Sequence, residues 1–137
     1  VSGGTFMPIR ENNIDNHKMH SEYAKVDENA ALQVRKTLAK GGKVIAVGTT
    51  VMRVLESPFF VNNNFQPFNG SINTFIKPGH DFKVCSGLFT NFHLPKSTLF
   101  ILVNAFVGLN KANELYQLAI KRNYRLFSYG DCCLLLP

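Results

Sequence analysis

The sequence predicts an α/β fold, a mixed sheet flanked by helices, and three observations carry that prediction. Val44, Ile45, Ala46 and Val47 form an uninterrupted apolar run of strand length between an amphipathic segment and a Gly48-Thr49-Thr50 turn that opens another helix. Helix, strand, turn, helix is the pattern of an α/β layer. A second apolar segment, at 98–107, exceeds ordinary strand length and reads as a buried helix. With 45% hydrophobic and 18% charged residues, the composition is that of an ordered globular chain.

The elements follow in order. Ser2, Gly3 and Gly4 free the backbone ahead of an extended segment at 5–9, either as a turn or where a ligand approaches closely. Asn12, Asn13, Asp15 and Asn16 make a polar connection, and 19–26 reads as a second extended stretch. Asp27 is placed to cap a helix whose Ala31, Leu32, Val34, Leu38 and Ala39 form an apolar stripe, with Arg35, Lys36 and Lys40 outward and Gly41-Gly42 ending it. Residues 43–47 are expected to be a central strand covered on both faces. A short helix over 51–56 is stopped by Ser57 and Pro58.

Residues 59–71, rich in Asn and carrying Phe59, Phe60, Phe65 and Phe68, read as a loop packed on the domain. Strands are expected at 72–76 and within 82–89, around a Pro78-Gly79 turn. After the helix at 98–107 come a second helix at 112–122, with Leu115, Leu118 and Ala119 inward, and a closing strand at 132–136.

A chain of 137 residues is one domain or part of one, long enough to bury roughly two thirds of its surface. The net charge of +6 is scattered, with loose groups at Lys36, Lys40 and Lys43 and at Lys111, Lys121, Arg122 and Arg125. Such a field favours a polyanion such as tRNA and fits an ordinary soluble basic protein equally well. Three cysteines, with Cys132 and Cys133 adjacent, match no secreted disulfide framework and are read as thiols in a reducing compartment. The longest apolar run, 99–103, falls far short of the roughly 18 residues a membrane span needs, and no signal segment opens the chain, so a soluble, cytoplasmic protein is expected. Val1, followed closely by a strand-like segment, reads as a piece of something longer.

Four places have the chemistry for a site. At the Gly48 turn, helix-start N–H groups, the hydroxyls of Thr49 and Thr50, and Arg53 one turn in suit a carboxylate or phosphate. The alternative there is a threonine N-cap with Arg53 paired to a nearby acid. No Walker-type Gly-Lys-Ser is present, so a nucleotide-binding module at Gly48 is one reading without a motif to support it. His20 and Glu22 alternate along an extended segment and are expected to face one side as an acid–base pair, or else to be ordinary surface groups. His17 and His20 are three apart, but the zincin glutamate and a Cys-x-x-Cys pair are both missing, so no metal is expected. His93 and Lys96 sit beside Pro95 where a strand ends, the edge of an α/β sheet at which ligands bind. Asp131, after Gly130, either orients a ligand hydroxyl or makes a turn.

Together these segments resemble the S-adenosylmethionine:tRNA ribosyltransferase-isomerase family of queuosine biosynthesis. The matching stretches are 3–8, 17–23, 44–50 with Arg53, Leu55, Glu56 and Ser57, then Phe75, Ile76, Pro78 and Gly79, then 90–98 and 124–131, in the family's order. Met7, the short 59–71 loop, and Cys132-Cys133 after Asp131 depart from the usual pattern. The resemblance implies the C-terminal portion of the larger α/β domain of a two-domain family, without its N-terminal part and small inserted β-barrel domain.

It also implies a chemistry. The ribosyl part of S-adenosylmethionine, a co-substrate, is moved onto the 7-aminomethyl-7-deazaguanine of a tRNA and isomerised to epoxyqueuosine, while adenine and methionine leave; no metal is implied. The sulfonium acidifies the carbon beside it, so the enzyme must supply a base there, an acid for adenine and anchors for the methionine carboxylate. Under the resemblance His20 with Glu22, and His93, are the acid–base candidates. Gly48, Thr49, Thr50 and Arg53 would hold an anionic group, and Asn91, Lys96 and Asp131 would position ribose, base or phosphate. These turns are expected to converge on one pocket. The rival is a truncated, non-catalytic remnant with weak RNA or nucleoside binding. As partners, tRNA and a separate N-terminal polypeptide are expected, otherwise a monomer, and no membrane.

Overall fold

The computed structural model describes residues 14–57, 60–61 and 64–137. The expected turn at Ser2, Gly3 and Gly4, the strand at 5–9, and Asn12, Asn13, Pro58, Phe59, Asn62 and Asn63 lie outside the described residues. After a 3-10 turn at Ile14–Asn16 come β1 (Glu22–Val26), α1 (Glu28–Ala39), β2 (Val44–Val47) and α2 (Thr49–Leu55). They are followed by β3 (Phe60–Val61), β4 (Asn64–Phe65), β5 (Phe68–Ile72), β6 (Cys85–Asn91), α3 (Thr98–Val107), α4 (Leu109–Lys121) and β7 (Cys132–Leu135).

Local chemistry sets the helix limits. Asp27 has extended backbone and accepts a hydrogen bond from the Ala30 N–H at 2.8 Å, satisfying one orphan donor of α1. Ser97 does the same for α3, accepting from the Phe100 N–H at 3.1 Å. Gly108, at φ +85°, both ends α3 and starts α4, a backbone turn that suits only glycine.

The principal sheet has the order β2-β6-β7, with β6 parallel to β2 and antiparallel to β7. Its inner face carries Ala46, Leu88 and Leu135 side by side, and α2, α3 and α4 cover them with Met52, Leu102, Val103, Phe106, Ala112 and Tyr116. Each such fully buried large side chain contributes roughly 1.5–3 kcal/mol. A smaller cluster joins Ala31, Val34 and Leu38 of α1 to Phe65 and Val84. There Arg35 is half-buried rather than turned to solvent, donating to the Phe65 carbonyl at 2.9 Å.

Several expectations are corrected. β2 lies beside β6 alone among the described residues, so β6 is the central strand; Ile45 and Val47 point away from the core and are exposed. The segment read as a loop over 59–71 contains the β3-β4 hairpin and all but the last residue of β5, which pairs antiparallel with β1. The strand expected at 72–76 therefore ends at Ile72. On α4 Tyr116, not Leu118, turns inward, because it stands four after Ala112 and three before Ala119 and so shares their buried stripe.

Candidate functional site

The C-terminal ends of β2 and β6 open into a cleft of about 230 Å³, where ligands of parallel α/β layers bind. Val47, Gly48, Thr49, Thr50 and Val51 line it from the β2-α2 turn, and Thr90, Asn91 and His93 from the end of β6. Leu99 of α3 closes the back, and Phe127 and Ser128 come in from the loop before β7.

Each polar group is held. Gly48, at φ +94°, donates its N–H to the Phe89 carbonyl at 2.8 Å, which pins the turn to β6. It is the N-cap of α2 and no side chain caps the helix, so the threonine hydroxyls are not consumed as an N-cap. His93 is buried; its ring Nε2 lies 2.9 Å from Thr90 Oγ1 and its backbone N–H donates to the Tyr116 hydroxyl at 3.0 Å. Burial pushes the His93 imidazole down to about 4, so it is neutral at neutral pH. Burial likewise pushes Tyr116 up to about 12, keeping its hydroxyl protonated. Asn91 donates from Nδ2 to the Asp131 carbonyl at 2.9 Å, and the Phe127 N–H donates to the Phe92 carbonyl at 3.0 Å. His93 also lines a second cavity of about 530 Å³ walled by Phe92, Phe100, Tyr116 and Tyr124.

The cleft thus gathers Gly48, Thr49, Thr50, Asn91 and His93 from the sequence-predicted set. His20, Glu22, Arg53, Lys96 and Asp131 are not among its lining residues. His20 is exposed and precedes β1, whereas Glu22 is buried, so the strand alternation that would place them on one side does not reach His20. Arg53 is buried with Glu22, its Nη1 3.2 Å from Glu22 Oε2 and its Nε donating to the Thr74 carbonyl at 2.9 Å. Desolvation lowers its pKa, opposed by the Glu22 charge. Lys96 is exposed, with φ +59°, in the turn before α3.

Asp131 accepts from the Arg125 backbone N–H at 2.6 Å and from its guanidinium at 3.0 and 3.1 Å, bracing the loop that carries Phe127 and Ser128. The Arg125 hydrogen bonds hold the Asp131 carboxyl below its usual range. Residue chemistry alone did not single out Thr90 or Ser128. Thr90 stands three before His93, the spacing at which the chain leaving β6 folds the ring back onto its hydroxyl.

Among the described residues no group of three or more His, Cys, Asp or Glu is placed to hold a metal, and no helix is long and apolar enough to cross a membrane. The arrangement is that of an α/β domain with a strand-end cleft of hydroxyl, amide and imidazole groups.

Known proteins extend this. A family profile described as "Queuosine biosynthesis protein" matches residues 1–135, and the chain belongs to that family. Among curated proteins it is similar to the S-adenosylmethionine:tRNA ribosyltransferase-isomerase of Halothermothrix orenii, 51% identical over 99% of this chain and 40% of that protein. It is also similar to the protein of the same name from Afipia carboxidovorans, 49% identical over 98% of this chain and 37% of that one. A crystal structure of S-adenosylmethionine tRNA ribosyltransferase from Thermotoga maritima matches with a TM-score of 0.77 and 40% identity, covering 83% of this chain and 40% of that chain. The chain spans about two fifths of the length of the curated relatives it matches.

Proposed function

We propose that this chain supplies one part of a cytoplasmic tRNA ribosyltransferase-isomerase, in which the ribosyl group of S-adenosylmethionine passes to the 7-aminomethyl-7-deazaguanine of a tRNA, with release of adenine and methionine. The observation that carries the reading is the strand-end cleft, which joins the Gly48-Thr49-Thr50 turn to Asn91 and His93. The names of the relatives, read with their identity to this chain, supply the substrate class.

In this reading Thr49 and Thr50 donate hydrogen bonds to anionic or hydroxyl oxygens of the nucleoside, and Asn91 and Ser128 fix the ribose. Asn91 is pre-oriented by its bond to the Asp131 carbonyl, so little freedom is lost on binding. His93 takes the proton-transfer role. Its neutral imidazole, fixed by Thr90, has one ring nitrogen to give or take a proton at the reacting carbon or the departing base. Glu22 and Arg53 act as positioning residues that lock β1 against α2. His20, Lys96 and Asp131 are given no step; Lys96 is exposed, and an exposed cation is free to meet a tRNA phosphate.

The test is incubation with S-adenosylmethionine and substrate tRNA, with and without the remaining portion of a relative, and assay for free adenine. Adenine that appears only when both portions are present is the expected result. No adenine with both portions present overturns the reading.

A further inference from the structure

The cavity of about 530 Å³ beside the cleft is given no ligand by the function proposed above, and its walls sort into a floor and a mouth. Phe92, His93, Tyr116 and Ala119 are buried and make the floor, where Phe92 and Phe100 each meet the Tyr116 ring edge-on, at centroid distances of 5.5 and 4.7 Å. The Tyr116 oxygen accepts from the His93 backbone N–H, which leaves the phenol proton without an acceptor among the described residues. At the mouth stand Tyr124, 46% exposed, and Ile120, 67% exposed. With them are the carboxamides of Asn113, Gln117 and Asn123, which make no side-chain hydrogen bond to another described residue.

An aromatic slot ringed by uncommitted amide donors and acceptors suits a flat heterocycle with two π faces and a hydrogen-bonding edge, which is to say a nucleobase. No Asp, Glu, Lys or Arg lines the cavity, so a carboxylate or phosphate has no charged partner inside it. The cations stand just outside. Lys96 follows Pro95 of the wall, and Lys121 and Arg122 run up to Asn123; all three are exposed. A stacking pocket within and phosphate-seeking cations around it are what holds single-stranded nucleic acid. We propose that this cavity receives one unpaired base of an RNA strand, stacked on Tyr124 and read by Asn113, Gln117 and Asn123, with the strand's backbone passing Lys96 and Arg122. That the strand is tRNA rests on the function proposed above; where the strand is gripped does not. His93 lines both this cavity and the cleft, so a strand anchored here lies next to the proposed reacting centre.

The experiment irradiates the chain with a short single-stranded oligoribonucleotide carrying thiouridine, maps the cross-links, and follows binding of the same oligomer by fluorescence anisotropy. Cross-links are expected within 113–126 of the unaltered chain, a result that does not depend on any variant folding. Tyr124→Ala is expected to weaken binding at least about fivefold, while Tyr124→Phe, which keeps the ring, stays within about twofold. Arg122→Gln is expected to weaken binding and to lower the slope of log affinity against log salt by about one. No cross-link, cross-links confined to other segments, or an affinity indifferent to Tyr124→Ala overturns the proposal. So does equal competition by the same sequence as a duplex, which offers no unstacked base, or by a free nucleoside, which would give the cavity to a small ligand. Cross-linking at 113–126 with no adenine released in the two-portion assay leaves the pocket standing and removes the functional reading. Adenine release that is normal while cross-links avoid 113–126 removes the pocket alone.

Discussion

Glu22 and Arg53 meet in the interior, carboxylate Oε2 3.2 Å from guanidinium Nη1, with side-chain exposures of 4% and 2%. The pair ties the first residue of β1 to α2, and Nε of the same guanidinium reaches the Thr74 carbonyl while Ser57 Oγ bridges the Arg53 carbonyl and Thr74 Oγ1. Removing one partner leaves the other charge buried, which costs more than removing both. Arg53→Met is therefore expected to lower unfolding stability by about 3–5 kcal/mol. The double variant Glu22→Leu, Arg53→Met should recover a large part of it. Urea unfolding of the four proteins checks this; additive losses would mean that the two side chains do not act as a pair.

His93 makes a pH-dependent contribution whose sign follows from burial. Its folded pKa is pushed from the ordinary 6.5 down to about 4, so between these values the unfolded chain binds a proton that the folded chain does not. The stabilisation is complete above pH 6.5 and is lost as pH falls towards 4, amounting to as much as about 3 kcal/mol. Urea unfolding at pH 7, 5.5 and 4.5 should show wild type losing this stability relative to His93→Gln. In the two-portion assay the same variant is expected to slow adenine release by at least about a hundredfold.

The apolar run at 44–47 shows where sequence reading stops. It reports that both faces of β2 are apolar, but not which of them the helices cover, and Ile45 and Val47 lie on the exposed face while Ala46 lies on the buried one. The limits of α1 were legible because Asp27 and the Gly41-Gly42 pair act within a few residues of themselves. The β1-β5 pairing was not, since register across nearly fifty residues leaves no local signature in an Asn-rich stretch. The same holds for the site. The Gly48 turn and His93 were legible as strand-end groups and Arg53 as a partner for some acid, whereas that the acid is Glu22 depends on a long-range approach of β1 to α2.

Glu56 predicts a sheltered thiol. Its carboxylate accepts backbone N–H groups from Lys83 at 2.9 Å, Val84 at 3.0 Å and Cys85 at 2.7 Å, an anion held at the start of β6. Burial first, and then the Glu56 charge, push the Cys85 thiol far above its ordinary range, while burial raises Cys133 to about 11. With a thiol-specific reagent at pH 8, Cys85 is expected to react only on unfolding. Glu56→Gln sets an amide donor against one of these N–H groups; it should cost about 1–3 kcal/mol and speed the labelling of Cys85. Fast labelling of Cys85 in the native wild type would contradict the sheltering.

Gly48 carries the sharpest backbone test. At φ +94° and ψ 146° it occupies a region essentially closed to residues with a Cβ, yet a Cβ built there meets nothing within 4 Å. Any penalty for substitution is therefore backbone strain and not a clash. Gly48→Ala is expected to cost about 1–3 kcal/mol, and Gly48→Asn no less, because asparagine tolerates the left-handed helical region near ψ +47° and not this extended one. The chain relieves such strain by turning the Gly48 N–H away from the Phe89 carbonyl, so faster exchange of that amide should accompany the loss. Equal stability of Gly48→Ala and wild type in urea unfolding would show that the turn relaxes freely, and with it the placing of Thr49 and Thr50 in one cleft with Asn91.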